Sequence, residues 1–136
     1  MDSIFVDTDI CYDLLLERQP FYHYAARLFT LSDNAKIRLY VSSLCFSNLH
    51  YLLSKQYNRQ ESLRILSQFK VLVNVLAVDE KIIDLALNST FPDFEDAIQY
   101  YTAIENNIPL IITRNLKDYK RASIAVMTAE AYIKNR

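Results

Sequence analysis

Short apolar segments with a strand-like pattern alternate with longer amphipathic segments along this chain of 136 residues. The predicted strands cover residues 3–7, 37–42, 71–78, 110–113 and 124–127. Strands that alternate with helices form a parallel sheet, because each crossover helix brings the chain back to the same end of the sheet. We therefore expect one domain of the α/β class over residues 1–136, a three-layer α/β/α sandwich with a central, mostly parallel sheet.

The segments between these strands carry residues that favour helix starts and turns. Helices are predicted over residues 9–17, 20–32, 44–56, 59–69, 80–87, 92–106 and from 129 onwards. The predicted N-caps have side-chain oxygens that can accept from the free N–H groups of a first turn. They are Thr8, Ser43, Asp79 and Thr128. Asn106 and Asn107 are predicted to form the kind of turn for which glycine is usually used.

The composition excludes several classes of protein. The chain contains no glycine, which excludes the glycine-rich loops that hold phosphates in P-loop and dinucleotide-binding proteins. The net charge is −1, from 15 basic and 16 acidic residues, so a broad electrostatic surface for nucleic acid is not expected. Cys11 and Cys45 lie in apolar runs and are predicted to be reduced, packed thiols. No run reaches the length of about 18 apolar residues that a membrane span needs, so we expect a cytoplasmic protein.

Acidic and amide side chains follow two of the predicted strands and open the helix between them. In chain order the polar groups are Asp7, Asp9, Asp93, Glu95, Asp96, Asn115 and Asp118. Ligands of open parallel sheets bind beyond the carboxyl ends of the strands, where these groups are expected to meet. Carboxylates that crowd together repel one another unless a cation lies between them. Because Mg²⁺ and Mn²⁺ prefer oxygen ligands, the pattern favours a site for a hard divalent ion.

Each of these acids also has a structural interpretation. Asp93 is predicted chiefly as a helix N-cap, with Asp96 at the third helical position. Asp96 lies near the packed side of that helix, where an acid is costly unless it is paired or bound to metal. Asp9 is expected only to favour the helix dipole, and Glu95 is expected to point to solvent. Asp7 ends a buried strand with no local cap to form, and is the strongest candidate.

Three segments, IFVDTDI, YVSSLCFSNLHYLL and FPDFEDAIQYYTAIENNIPLIITRNLKDY, together resemble the PIN-domain family, which includes ribonuclease toxins of the VapC type. The resemblance covers essentially the whole chain, and the last segment is the most specific part of it. It implies a PIN-like α/β/α domain that cleaves an RNA substrate with Mg²⁺ or Mn²⁺, and a cognate antitoxin protein as partner.

Carried over residue by residue, the resemblance implies that Asp7, Asp96 and Asp118 are catalytic. The implied metal ligands are Asp7, Asp96, Asn48 and Asn115, and the implied supporting residues are Thr8, Asp93 and Thr113. Asn48 and Asn115 stand where the family usually has acids. An amide can coordinate a hard cation through its carbonyl oxygen, but it brings no charge.

The basic residues Arg114, Lys117, Lys120 and Arg121 lie beside the predicted site and are predicted to contact RNA phosphates, although such a run is also typical of a solvated loop. The aromatic segment 21–24 and Phe29 predict an exposed groove between the early helices. That groove suits an amphipathic antitoxin helix, and self-association as a homodimer is an alternative use of it.

Two functions stay open at this point. The first is a metal-dependent ribonuclease, the toxin component of a type II toxin–antitoxin pair. The alternative is a PIN-like RNA- or protein-binding module in which the two amides have weakened catalysis. A phospho-acceptor domain is a distant third, because Asp79, the acid that follows the middle strand, is better explained as a helix cap.

Overall fold

The architecture was obtained as a computed structural model that describes all residues 1–136. Five strands form one sheet: β1 Ser3–Val6, β2 Arg38–Ser42, β3 Asn74–Leu76, β4 Leu110–Ile112 and β5 Ala125–Met127. Their spatial order is β3-β2-β1-β4-β5, and every neighbouring pair is parallel. The predicted parallel sheet is therefore confirmed.

Seven α-helices flank the sheet: α1 Thr8–Leu15, α2 Tyr22–Asp33, α3 Ser43–Gln56, α4 Arg59–Lys70, α5 Glu80–Leu87, α6 Phe94–Glu105 and α7 Ala129–Lys134. Ile4 and Val6 of β1 lie in the largest apolar cluster, together with side chains of α1, α2, α3, α4 and α7. Phe5, between them in sequence, packs instead with Tyr100 of α6 on the other face. This alternation along one strand produces the three layers that the sequence predicts.

The third strand is shorter than predicted. Residues 71–78 are strongly β-branched, but only Asn74–Leu76 pairs with β2. Val71 instead ends α4, where its N–H donates to Gln68 O at 3.3 Å, and its side chain is 82% exposed. β-Propensity was a poor guide here because β3 is an edge strand, and packing on only one side limits how far it extends.

Two of the predicted N-caps are displaced by one residue. Asp7, and not Thr8, caps α1, and Ser42, and not Ser43, occupies the N-cap position of α3. Asp7 is the single residue between β1 and α1, and Ser42 is the last residue of β2, so in both cases the cap lies where the strand gives way to the helix. The predicted caps Asp79 and Thr128 are confirmed, since each side chain accepts from the N–H three residues further on.

Left-handed backbone positions are filled without glycine. Asn107 has φ of 57°, which confirms the predicted asparagine turn after α6, because asparagine tolerates this region better than most residues. Cys11 and Cys45 are buried and form no disulfide, as predicted. None of the helices has the length and apolar character needed to cross a membrane.

Candidate active site

The carboxyl ends of β1 and β4 lie side by side in the middle of the sheet. β1 pairs with β2 on one edge and with β4 on the other, and the backbone N–H of Asp7 donates to Ile112 O at 3.0 Å. From β1 the chain continues to β2 and β3 on one side, and then crosses to β4 and β5 on the other side of β1. The boundary between β1 and β4 is therefore a topological switch point. Crevices at such points bind ligands in open α/β sheets.

Asp7 is the most highly connected side chain at this point and is 5% exposed. Its Oδ1 accepts from Thr8 N at 2.7 Å and from Gln99 Nε2 at 3.4 Å. Its Oδ2 accepts from Thr113 Oγ1 at 2.8 Å and from Tyr119 Oη at 3.1 Å. Burial raises the pKa of Asp7, and these four hydrogen bonds oppose that shift. The expectation that Asp7 has no local cap to form was wrong, since it caps α1.

Asp9 joins the same cluster, although the sequence indicated only a dipole role for it. Its Oδ2 accepts from Arg114 N at 3.0 Å and from Thr113 Oγ1 at 3.3 Å. Its Oδ1 is buried and has no hydrogen-bond partner. Burial and the neighbouring charge of Asp7 raise the pKa of Asp9 to about 7. The sequence did contain a signal for this role of Asp9, because Asp7 and Asp9 flank Thr8, the first residue of a helix that follows a buried strand.

Asp96 and Asp118 bring two further carboxyl groups to this point. Asp96 is 8% exposed, and its backbone N–H donates to Asp93 Oδ1 at 3.0 Å, which confirms Asp93 as the N-cap of α6. Burial raises the pKa of Asp96 to about 8, with the charges of Asp7, Asp93 and Asp118 and a hydrogen bond to Asp118 adding to the shift. Asp118 is half-buried in a 3₁₀ turn, Leu116–Tyr119.

The two amides predicted as metal ligands, Asn48 and Asn115, lie in different surroundings. Asn48 is half-buried on α3, and its Nδ2 donates to Glu95 Oε1 of α6. Glu95 is exposed, as predicted, and it also accepts this hydrogen bond. Asn115 is exposed, and its backbone N–H donates to Thr113 Oγ1 at 3.1 Å.

The predicted basic run divides into one internal residue and three exposed ones. Arg114 pairs with the buried carboxylate of Asp13 at 2.7 Å, so its guanidinium is already engaged within the fold. The side chains of Lys117, Lys120 and Arg121 are exposed. The RNA contact predicted for Arg114 therefore requires a group that the fold already uses, whereas the other three are available to solvent.

Comparison with known proteins shows the family of the chain. A family profile described as the PIN domain matches residues 3–117. The chain belongs to the PIN-domain family. Ribonuclease VapC1 of Aquifex aeolicus is 29% identical over 139 residues, which cover 96% of this chain and 93% of that protein.

Solved structures of similar fold include toxin–antitoxin proteins. DNA-bound VapBC from Salmonella typhimurium contains a chain with a TM-score of 0.71 and 18% identity, covering 95% of this chain and 99% of that one. VapC20 of Mycobacterium tuberculosis, a toxin that cleaves the sarcin–ricin loop, has a TM-score of 0.63 and 17% identity, covering 79% of this chain and 86% of that one. At these identities the likeness establishes the fold, and the predicted PIN-like architecture is confirmed.

The oxygen-rich edge of this PIN domain suits a hard divalent cation. No three His, Cys, Asp or Glu side chains stand close enough to share one ion. However, two buried oxygens at this edge, Asp9 Oδ1 and Gln99 Oε1, have no hydrogen-bond partner. Carboxylate and amide oxygens are the donors that Mg²⁺ and Mn²⁺ prefer. Burial and then neighbouring charge raise the pKa values of Asp9 and Asp96, and a cation would favour the ionised form of both groups. The residues present therefore fit the ion that the family implies.

Gln99 and Tyr119 are site residues that the sequence analysis did not identify. Gln99 is 1% exposed on α6, and its Nε2 also donates to Thr8 Oγ1 at 3.0 Å. A polar residue one turn after Asp96, on the packed face of a helix, was a signal that could have been used, because burial of an amide is costly without partners. Tyr119 gave no such signal, since a tyrosine at an apolar position is most simply interpreted as packing.

Proposed function

We propose that this chain is a divalent-metal-dependent endoribonuclease and the toxin component of a toxin–antitoxin pair. The observation that carries this proposal is the convergence of Asp7, Asp9 and Asp96 at the switch point of a PIN domain. Three carboxyl groups in one partly dry region of the fold are unfavourable for folding when ionised, and a cation-dependent function would account for their retention. Similarity to Ribonuclease VapC1 over 96% of the chain supports the same activity.

The chemistry is hydrolysis of a phosphodiester. In this proposal Asp7 and Asp96 hold the metal ion, and Asp118 either holds it or orients the attacking water. A bound divalent ion would supply water activation and neutralise charge on the phosphoryl oxygens. Thr113 and Tyr119 donate to the same oxygen of Asp7, so they keep that carboxylate in one orientation.

The RNA backbone is expected to approach from the side of the 3₁₀ turn. Lys117, Lys120 and Arg121 are exposed on or directly after that turn, and Asp118 of the site lies among them in sequence. Cationic side chains next to a cleavage site position the phosphate backbone without reading its bases. Because the chain as a whole has a net charge of −1, this contact is local and should weaken as salt is added.

The test is cleavage of a labelled single-stranded RNA by the purified chain with Mn²⁺, with Mg²⁺ and with EDTA. Wild type should cleave only with a divalent ion, and Asp7→Asn should reduce cleavage to background. Asp84→Asn is the matched control, because Asp84 is an exposed acid on α5, away from the site. Equal cleavage by wild type and Asp7→Asn, or cleavage that persists in EDTA, would contradict the proposal.

The alternative function is an RNA- or protein-binding module, and the amides Asn48 and Asn115 favour it because each removes a charge from the site. The same experiment separates the two functions. A binding module would retain RNA in a filter-binding assay, with wild type and Asp7→Asn equally effective, and would leave the RNA intact with either metal.

The proposed protein partner is an antitoxin. Neighbouring structures include VapBC complexes and FitAB bound to DNA. A cavity of about 330 Å³ lies beside α2, lined in part by Phe21, Tyr24 and Ala25, and it supports the proposal of a partner groove at the early helices. Phe29 was wrongly included in that prediction, since it is 2% exposed and belongs to the core.

Co-expression with the product of the adjacent gene should yield a stable complex, and Phe21→Ser should weaken it. Light scattering of the chain alone tests the predicted homodimer separately. Recovery of the chain without the neighbouring product would count against an antitoxin.

A further inference from the structure

Glu95 connects two helices that lie on opposite faces of the sheet. α3 packs in the largest apolar cluster, whereas α6 packs with Phe5 on the other face. The contact from Asn48 Nδ2 to Glu95 Oε1 is the side-chain hydrogen bond that joins them. A bond between helices on opposite faces has to pass beyond the sheet, either beside an edge strand or over the ends of the strands. Glu95 adjoins Asp96 in the first turn of α6, so it passes over the carboxyl edge, where Asp7 lies.

The charge of Glu95 also reaches α1. Burial, followed by the neighbouring thiol of Cys45 and the charge of Glu95, raises the pKa of Tyr12 to about 12. Glu95 of α6 therefore bonds to α3 and lies near enough to Tyr12 of α1 for its charge to act there. With Asn48, it lines a cavity of about 410 Å³ that is open to solvent.

The chemistry of the pair determines how Asn48 is oriented. A carboxylate only accepts hydrogen bonds, so Glu95 selects the NH₂ end of the Asn48 amide and leaves Oδ1 turned away from it. Oδ1 is the only atom of this side chain that can bind a hard cation. A carboxylate that holds the far end of a ligand orients that ligand and raises its basicity.

We propose that Glu95 is a positioning residue of the metal site, which orients Asn48 and supplies the negative charge that an amide at this position lacks. The inference rests on the proposed function, because it concerns the same site. In this proposal the negative charge comes from Glu95 on α6, and Glu95 acts on Asn48 of α3 through one hydrogen bond.

A purely structural role for the pair makes different predictions. An exposed hydrogen bond to a charged group contributes little to stability, and its loss would not alter ion binding. The two roles are separated by measuring the Mn²⁺ dissociation constant by calorimetry, together with melting temperatures with and without Mn²⁺. These readouts do not depend on catalysis.

Three variants test the inference. Glu95→Gln keeps an oxygen that can accept from Asn48 but removes the charge, and should weaken Mn²⁺ binding by about 10-fold. Asn48→Glu places two carboxylates face to face, so the metal-free melting temperature should fall and added Mn²⁺ should restore it. The double variant Asn48→Glu with Glu95→Gln exchanges donor and acceptor, retains one charge, and should recover wild-type affinity. Glu80→Gln, an exposed acid in the first turn of α5, is the matched control and should leave affinity unchanged.

The possible failures are distinguishable. If Asp7→Asn abolishes Mn²⁺ binding while Glu95→Gln binds as tightly as wild type, the inference is wrong and the proposed function stands. If the double variant binds as weakly as Glu95→Gln, the charge does not act through Asn48, and the inference is equally wrong. A wild-type chain that binds no Mn²⁺ overturns both.

Discussion

The guanidinium of Arg114 and the carboxylate of Asp13 form a bidentate pair, with Nε to Oδ2 at 2.7 Å and Nη2 to Oδ1 at 3.0 Å. The Arg114 guanidinium also lies 4.1 Å from the centre of the Phe21 ring. This pair fastens the segment after β4 to α1, the two elements that supply Thr113 and Asp9 to the site. Arg114 therefore contributes to the geometry of the site from inside the fold.

Arg114→Ala should lower the free energy of unfolding by roughly 2–3 kcal/mol, since it leaves a buried carboxylate without its cation. The estimate is at the lower end for such pairs because the Arg114 side chain is 27% exposed, whereas that of Asp13 is 1% exposed. Urea unfolding provides the measurement, and Lys120→Ala, at an exposed position, is the control. If Arg114→Ala unfolds like wild type but binds RNA less tightly, the residue acts on RNA as the sequence predicted.

Above about pH 8, where the Asp96 carboxyl is ionised in the folded protein, Asp96→Asn should raise the melting temperature of the metal-free protein. Burial disfavours the charge of the Asp96 carboxyl, and the neighbouring charges of Asp7, Asp93 and Asp118 disfavour it further. An amide of the same shape removes that repulsion. The stabilisation by Mn²⁺ should be lost in the same variant, because only an ion that binds the folded state raises its stability. A lower metal-free melting temperature would show that the carboxyl group has a structural role.

Asp7→Asn should have the opposite effect on the metal-free protein. Four donors converge on the two oxygens of Asp7, and an amide offers only one oxygen to accept them. Buried donors without acceptors cost about 1–3 kcal/mol each, so the melting temperature should fall even though a charge is removed. Differential scanning calorimetry without metal measures the effect, and the same variant should show no Mn²⁺ response. A metal-free melting temperature above that of wild type would mean that repulsion outweighs these hydrogen bonds.

The metal-free protein should lose stability as the pH rises through the neutral range. The pKa values of Asp9 and Asp96 are raised to about 7 and about 8 in the folded protein from the ordinary aspartate value of 3.8, so the folded state holds these protons more tightly than the unfolded state does. Their contribution to stability is complete below about pH 4 and is lost as the pH rises through the folded pKa values. The melting temperature should therefore be lower at about pH 8.5 than at about pH 6.

Mn²⁺ should reverse this trend, because the ion competes with the same protons and binds more tightly as they leave. Asp96→Asn should flatten the metal-free pH dependence, whereas the exposed-acid variant Asp84→Asn should retain it. A metal-free protein whose stability rises from about pH 6 to about pH 8.5 would contradict the assignment of raised pKa values to these acids.

Local signals in the sequence correctly predicted much of this protein. The caps Asp79, Asp93 and Thr128 act on backbone N–H groups three residues away, and the turn at Asn107 depends on its own backbone preference. The alternation of strands and helices implied the parallel sheet, and the order of elements brought the ends of the first and fourth strands to one edge. The extent of β3 was less predictable, because an edge strand depends on what packs against it.

The arrangement of the site, by contrast, was decided by the tertiary structure. Gln99 meets Asp7 across 92 positions of the chain, the Arg114 guanidinium meets Asp13 across 101 and Glu95 meets Asn48 across 47. Each of these side chains has an ordinary local interpretation, as a helix residue, a loop cation or an exposed acid. The sequence by itself determined the fold and which acids reach the edge of the sheet, because periodicity and capping operate over a few residues. Only the tertiary structure decided the hydrogen-bond partners and the pKa values of those acids, since the pKa of a buried carboxyl depends on the side chains packed around it.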